Sequence, residues 1–230
     1  MLETVEEAGI NDNTIIIFTS DNGCSPAAQI KELIREGHYP NSIYRGHKAD
    51  IYEGGHRVPF LVKWPKEIKK GSVSDETICL TDLMATFAEI TDYELKDNEG
   101  EDSYSLMSIF NNTTFTSPLR GATVHHSIRG NFAIRKGDWK LIMCPGSGGW
   151  SLPGPKDKEG LKGLPKVQLY NLSNDPEESI NLESSEPEKV SELKLLLSKY
   201  ITEGRSTPGA IQKNDAIGKR KWKQIDFIGK

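Results

Sequence analysis

Apolar positions in the first part of the chain follow strand and helix periods in turn. The β-branched run at 14–20 predicts a strand, residues 30–34 predict a short helix, and the apolar run at 59–64 predicts a second strand. A further helix is predicted after Thr81, which we take as its N-cap. Its apolar stripe, expected to pack in the core, comprises Leu83, Met84, Phe87 and Ile90.

After about residue 92 the pattern changes to short strands separated by polar turns. The four predicted strands are 122–126, 132–135, 139–143 and 167–170. The turns at 130–131 and 136–138 contain glycine and are typical of hairpins. We therefore expect an antiparallel meander in this part of the chain.

The last predicted element is a helix over about 186–202, with Ser185 and Glu188 in a capping-box pattern. Its apolar side, expected to cover the meander, comprises Val190, Leu193, Leu196, Leu197, Tyr200 and Ile201. The pattern thus predicts an α/β protein in two parts. Residues 1–92 form the first part, and residues 93–230 form a small α+β domain with an antiparallel sheet, a packed C-terminal helix and a polar tail.

The first strand, which its apolar run predicts to be buried, ends abruptly on Asp21, Asn22 and Gly23. A carboxylate and an amide oxygen are hard donors of the kind that Ca²⁺ or Mg²⁺ prefers. Strand ends are also where open α/β sheets bind ligands, and the glycine allows a sharp turn. The same three residues fit an Asx-Gly turn without any ligand. Taken alone, the pattern leaves both interpretations open.

A second segment makes the first one more informative. Residues 44–60 read YRGHKADIYEGGHRVPF. Together with the first strand, this segment resembles the sulfatase family of the alkaline-phosphatase superfamily, in which a strand ends in Asp-Asn-Gly and a Gly-x-Lys segment leads into Tyr-Glu-Gly-Gly-x-Arg-x-Pro. GDWKLI at 137–142 and LYNL at 169–172, followed by DPE at 175–177, are similar to late sulfatase segments. The resemblance covers nearly the whole chain.

The resemblance implies a fold, a reaction and a metal. Residues 1–92 would be the C-terminal part of an alkaline-phosphatase-like mixed-sheet domain in an arylsulfatase-like sulfuric ester hydrolase. Asp21 and Asn22 would bind Ca²⁺, with Mg²⁺ less favoured. In the family a hydrated formylglycine attacks sulfur, and Lys48 stands where a lysine stabilises the sulfate oxygens. A compact ammonium suits that role, because charge develops on these oxygens as the S–O bond breaks.

One part of the family pattern is absent from this sequence. Sulfatases carry a Cys/Ser-x-Pro-x-Arg segment whose first residue becomes formylglycine, and nothing here matches it. The sequence from Cys24 reads CSPAA, which lacks the arginine, so we predict a loop thiol rather than a nucleophile. Ca²⁺ takes about 6–8 oxygen ligands, of which Asp21 and Asn22 supply about two or three. We therefore predict that this chain is inactive alone and needs the remainder of the catalytic domain for its nucleophile and metal ligands.

Three histidines are candidates for contact with substrate. His47 precedes Lys48, and His125 and His126 end a predicted strand on which neighbouring side chains face opposite ways, so only one of the pair faces a pocket. Glu53 and Arg57 are expected to pair and brace their loop.

Composition restricts the partners more than the activity. The net charge of −4 gives no signal for nucleic acid, and no apolar stretch approaches the roughly 20 residues of a membrane span. The first residues are acidic, unlike a signal peptide, and three cysteines do not indicate a disulfide framework, so no compartment is indicated. The expected substrate is a sulfated small molecule or saccharide. Two alternatives stay open: a non-catalytic remnant of a sulfatase, and a phosphate mono- or diester hydrolase of the same superfamily.

Overall fold

The computed structural model describes residues 1–111 and 118–214. The helices are α1 (Leu2–Glu7), α2 (Ile30–Arg35), α3 (Glu53–His56), α4 (Asp82–Ile90), α5 (Met107–Phe110) and α6 (Pro187–Glu203). The strands are β1 (Ile16–Thr19), β2 (Phe60–Lys63), β3 (Thr123–His126), β4 (Phe132–Lys136), β5 (Trp139–Ile142) and β6 (Gln168–Asn171). Within the described residues, no helix is both long enough and apolar enough to cross a membrane.

The chain divides into two compact units. Of the described residues, the first contains 1–21, 59–111, 118–121 and 205–212, and the second contains 22–58, 122–204 and 213–214. The second unit therefore joins the segment around Lys48 to the C-terminal meander. The predicted boundary near residue 92 stays a prediction, and the end of the predicted polar tail lies outside the described residues.

The first unit is built on an antiparallel pair of strands, in which Ile16 of β1 lies opposite Lys63 of β2. The core beside them is formed by Trp64, Leu106 and Phe110 with partly buried apolar neighbours. The prediction of a buried first strand is wrong for one face, because Phe18 and its partner Leu61 are 66% and 59% exposed. Alternate side chains of a strand point to opposite faces, so an unbroken apolar run does not show that both faces are covered.

Helix α4 forms where predicted, but its predicted stripe is only half correct. Leu83 and Ile90 pack on the core, whereas Met84 and Phe87 are exposed. Thr81 is the N-cap residue, as predicted, but its side chain makes no capping hydrogen bond. The buried Asp82 instead accepts hydrogen bonds from the backbone N–H groups of Cys79 and Tyr104 and pairs with Arg120. A carboxylate in the first turn satisfies these donors and favours the helix N-terminus.

The second unit contains the predicted meander, with strand order β3-β4-β5-β6 and antiparallel pairing throughout. The turns at Gly130 and Gly137 have positive φ, as a tight hairpin requires. Helix α6 packs its predicted face on the sheet, with Leu193 and Leu197 fully buried. The predicted capping box is wrong: the Ser185 hydroxyl donates to the Leu182 carbonyl, and Pro187 begins the helix without a side-chain cap.

Candidate functional site

The turn after β1 is fixed by backbone contact with the Glu-Gly-Gly segment. The Gly23 N–H donates to the Gly55 carbonyl over 3.1 Å. A Cβ added at Gly23 would lie 1.7 Å from the Gly54 carbonyl oxygen, closer than any side chain can approach. Asn22 is half-buried beside this contact, and its Nδ2 donates to the Gly23 carbonyl over 3.3 Å. Gly23 is thus required for close approach of two backbones.

Two further close approaches extend this contact. A Cβ at Gly54 would lie 2.4 Å from the Gly46 carbonyl oxygen, and one at Gly55 would lie 2.4 Å from the Asp50 carbonyl oxygen. We call Gly23, Gly46, Gly54 and Gly55 the glycine stack. It holds the turn after Asn22 and the loop that carries Lys48 together through main-chain atoms, which leaves little freedom for either to move.

Lys48 lies in this loop, and its backbone N–H donates to the Cys24 carbonyl over 3.0 Å. Its side chain is half-buried, and within the described residues its ammonium has no ion pair or hydrogen bond. The next residue, Ala49, adopts φ 83°, a left-handed conformation that is unusual for a residue with a side chain. Such strain is typical of segments held in place for function.

Asp50 anchors the same loop to the glycine-rich segment around Trp150. Its carboxylate is completely buried and accepts from the backbone N–H groups of His47 (2.9 Å), Trp150 (2.7 Å) and Ser151 (2.9 Å). The Ser151 hydroxyl donates to it as well. The His47 Nδ1 lies 3.0 Å from the Lys48 carbonyl oxygen, so the ring is held against its own loop.

A buried ion cluster lies behind α3. The Lys140 ammonium is 2.9 Å from a carboxylate oxygen of Glu53 and 2.9 Å from one of Glu178. Burial disfavours the charge of Glu53, but Lys140, Arg135 and Arg57 outweigh it and hold the pKa of that carboxyl below its usual value. Burial raises the pKa of Glu178, and Lys140 offsets only part of this effect. The expected Glu53–Arg57 pair forms at 3.6 Å.

The histidine that follows the glycine stack packs on one of the predicted substrate residues. The rings of His56 and His125 have centroids 4.4 Å apart, and both Nε2 atoms are buried without a hydrogen-bond partner among the described residues. Burial, with the charge of Lys140, lowers the pKa of His56 to about 4 and that of His125 well below its usual value. His126 is exposed and contacts Phe132 edge-on. The two strand neighbours thus face different surroundings, as the strand period predicts.

In the second unit, Asn22, His47 and Lys48 lie on loop segments that the glycine stack joins, and His125 on β3 packs on His56, which follows that stack. Asp21 ends the part of the first unit that carries β1. The roles of these residues stay predictions. Sequence reasoning missed Asp50, Lys140 and Glu178. The sequence held a signal for Lys140 and Glu178, because Lys140 lies in one of the later segments that resemble sulfatases and Glu178 directly follows another.

The sulfatase family model matches residues 1–93. N-acetylgalactosamine-6-O-sulfatase of Bacteroides thetaiotaomicron is 34% identical over 213 residues, covering 88% of this chain and 39% of that protein. A solved structure from the same organism, described under the metabolism of multiple glycosaminoglycans, has a TM-score of 0.71 and 32% identity, covering 86% of this chain and 41% of that one.

The chain belongs to the sulfatase family. The predicted α/β architecture, with its alkaline-phosphatase-like part and C-terminal helix, is thereby confirmed. Human arylsulfatase A is 30% identical over 190 residues, covering 79% of this sulfatase chain and 36% of its own length. This sulfatase chain thus spans about two fifths of the length of such relatives, and the match to residues 1–93 is consistent with the predicted C-terminal portion.

Proposed function

We propose that this chain supplies one side of the active site of a sulfuric ester hydrolase, with Lys48 as its sulfate-binding cation. The observation that carries the proposal is the glycine stack, which ties the Lys48 loop to the turn after Asn22 through main-chain contacts. A catalytic cation is useful only if it is held in place before the charge develops. The nucleophile would come from a Cys/Ser-x-Pro-x-Arg segment outside these residues.

The charge balance around Lys48 suits an anionic substrate. Its ammonium is unpaired within the described residues, whereas Lys140 in the same unit is neutralised by two carboxylates. The nearest acid in the loop, Asp50, is already satisfied by four donors, three of them backbone N–H groups. Lys48 therefore has positive charge available for the oxygens of a sulfate ester in the ground state and, more strongly, in the transition state.

A divalent cation, with Ca²⁺ preferred to Mg²⁺, belongs to the same proposal. Asp21 is exposed with no partner among the described residues, and with Asn22 it offers the oxygen donors that such ions prefer. Within the described part of the chain, no three His, Cys, Asp or Glu side chains form a cluster that could hold a metal. The donor set fits part of a Ca²⁺ site, and the bound ion would add positive charge at the sulfate oxygens.

A sulfated saccharide is the substrate class that we propose. One relative is an N-acetylgalactosamine-6-O-sulfatase, and a structural neighbour of 26% identity and TM-score 0.62 was solved with its substrate D-glucosamine-2-N,6-O-disulfate. The half-exposed Trp150 ring, whose backbone is fixed by Asp50, is available for contact with a sugar ring.

The test of the nucleophile compares this chain with the full-length protein that carries it. Purified alone with Ca²⁺, the chain is expected to hydrolyse neither an aryl sulfate nor a 6-O-sulfated amino sugar. The full-length protein is expected to hydrolyse a sulfate ester and to leave the matching phosphate ester intact. Turnover by the isolated chain that disappears in Cys24→Ala would contradict the assignment of the nucleophile, and preference for the phosphate ester would favour a phosphatase.

The role of Lys48 is tested by Lys48→Ala in the full-length protein. Removal of one transition-state donor typically costs about 10²–10³-fold in kcat. We expect a loss of that size, with the exposed Lys136→Ala on β4 as the matched control. Near-normal kinetics in Lys48→Ala would exclude the proposed role.

The metal ligands are tested by calorimetric titration with Ca²⁺. Asp21→Ala in the full-length protein is expected to abolish measurable binding, because it removes the carboxylate that we propose as a ligand. Asp12→Ala removes an exposed carboxylate from a turn and is the control. Equal Ca²⁺ affinity in both variants would show that Asp21 is not a ligand.

A further inference from the structure

Three segments that resemble sulfatases meet at one buried ammonium. Lys140 comes from GDWKLI on β5, Glu53 from the Glu-Gly-Gly segment, and Glu178 directly follows the DPE segment. We propose that Lys140 is a positioning residue for the reaction: acting through Glu53 and Glu178, it fixes the glycine stack and the loop that carries Lys48. This inference rests on the proposed function above.

The geometry makes the three side chains one unit. The Lys140 ammonium lies 2.9 Å from each carboxylate, and the second oxygen of Glu178 accepts the backbone N–H of Glu53 over 2.6 Å. Lys140 and Glu178 are fully buried, and Glu53 is 4% exposed. Glu178 therefore holds both the main chain at the start of α3 and the cation that holds the Glu53 side chain.

Stability alone does not account for this arrangement. Buried ion pairs often contribute less stability than apolar side chains of the same size, because the charges lose their hydration. The backbone of Glu178 also has φ 53°, a conformation that favours glycine or asparagine over glutamate. A charged side chain kept in a strained and buried position indicates that its particular contacts matter.

A short path of contacts leads from the cluster to Lys48. Glu53 begins the turn whose next two residues, Gly54 and Gly55, belong to the glycine stack. The Gly55 carbonyl accepts the Gly23 N–H, and the Cys24 carbonyl accepts the Lys48 N–H.

Arg45, at the other end of the segment that carries Lys48, also contacts the cluster. The Arg45 guanidinium donates to the Glu178 carbonyl over 2.8 Å, and the Arg45 carbonyl accepts the Gly54 N–H over 2.8 Å. Displacement of Glu53 or Glu178 therefore shifts both ends of the segment that contains Lys48.

The test uses the double variant Lys140→Met, Glu178→Gln in the full-length protein. It removes one positive and one negative charge, keeps the side-chain lengths, and leaves an amide oxygen to accept the Glu53 N–H. The matched control is Lys136→Met, Glu192→Gln, the same change at a pair that is 2.7 Å apart and much more exposed. Glu178→Gln alone is the milder variant should the double variant not fold.

Two measurements separate positioning from mere support of the fold. Misplacement of a catalytic group by about 1 Å can cost about 100-fold in rate, so we expect a fall in kcat of that order in the double variant. KM should stay within about twofold, as for a loss confined to the transition state. Hydrogen exchange should become faster in residues 44–57 and 22–28, with β4 and β5 unchanged, and the control should resemble the wild type in both measurements.

Each outcome decides between the two roles. Unchanged kcat and unchanged exchange in residues 44–57 would overturn the inference, as would equal acceleration of exchange in the loop and in the sheet. A wild-type protein that neither hydrolyses sulfate esters nor binds Ca²⁺ would refute the proposed function, and with it the catalytic part of this inference. In that case the exchange data would still show whether the cluster holds the loop.

Discussion

At the scale of single residues, the geometry of the site depends on glycines. An Asp-Asn-Gly sequence suggests that its glycine serves a turn with positive φ. Gly23 has no such φ, and it is required because the Gly54 carbonyl occupies the space of a Cβ. The contact joins segments about thirty positions apart, so no local pattern reveals it. Both segments belong to the resemblance to sulfatases, but only the structure shows that they are in contact.

Gly23→Ala tests this explanation. The added methyl group would lie 1.7 Å from the Gly54 oxygen, so the two backbones must separate. We expect a loss above the roughly 1 kcal/mol that alanine costs at a left-handed glycine, together with weaker Ca²⁺ binding. The control is Gly130→Ala, where φ is 75° but no atom lies within 4 Å of the added Cβ. Urea unfolding measures the loss of stability in both variants, and equal losses would contradict the explanation.

At the scale of elements, the spacing of apolar residues predicted the helices and strands better than the capping residues predicted the contacts at helix ends. The meander follows from short apolar runs separated by glycine-containing turns, and the apolar face of α6 follows from 3.6-residue spacing. Thr81 is the N-cap of α4 as predicted, but its side chain makes no capping hydrogen bond, and the Ser103 hydroxyl accepts the Ala85 N–H in the first turn. The capping box at Ser185 was wrong, because Glu186 is the N-cap of α6 and makes no side-chain capping bond. Side-chain type at a helix end indicates a cap only when no distant partner competes for the same groups.

Helix α6 offers a matched pair of leucines for measuring its contribution to the second unit. Leu193 is fully buried in the core of the sheet, and Leu195 on the same helix is 69% exposed. Leu193→Ala is expected to lower the free energy of unfolding by about 2–5 kcal/mol, because it removes buried methyl groups and leaves a cavity. Leu195→Ala should change it by less than about 0.5 kcal/mol. Similar losses in urea unfolding would show that α6 does not pack as described.

At the scale of the whole chain, the parts that sequence could not predict are the buried polar contacts. Asp82, Lys140 and Glu178 belong to residue types that are usually exposed, so composition and periodicity assign them to the surface. Each is buried because a partner of opposite charge arrives from a segment about 40 or more positions away in sequence. Patterns within one segment carry no information about such a partner. The family resemblance identified the segments that carry Lys140 and Glu178, but it did not predict that these side chains pair.

These buried groups make stability depend on pH with a sign that the structure defines. His56 has a pKa of about 4 in the folded chain against an ordinary value of 6.5, so between these values the unfolded chain binds the additional proton. Stability then falls as the pH is lowered from 6.5 towards 4, by at most about 1.4 kcal/mol per pH unit for each such group. His125 and Glu53 act in the same direction, because their pKa values are also lowered. Glu178 acts in the opposite direction, because its pKa is raised.

A difference between variants isolates the contribution of His56 from these other groups. His56→Asn removes the titrating ring, and we expect its free energy of unfolding to fall less steeply than that of the wild type as the pH is lowered from 6.5 to 4. His38→Asn removes a solvent-exposed histidine and is the control. Urea unfolding at several pH values within this range measures all three proteins. Burial of the His56 ring beside Lys140 disfavours its protonated form in the folded chain. An unchanged slope in His56→Asn would contradict this, because it would mean that His56 binds a proton equally readily in the folded and the unfolded chain.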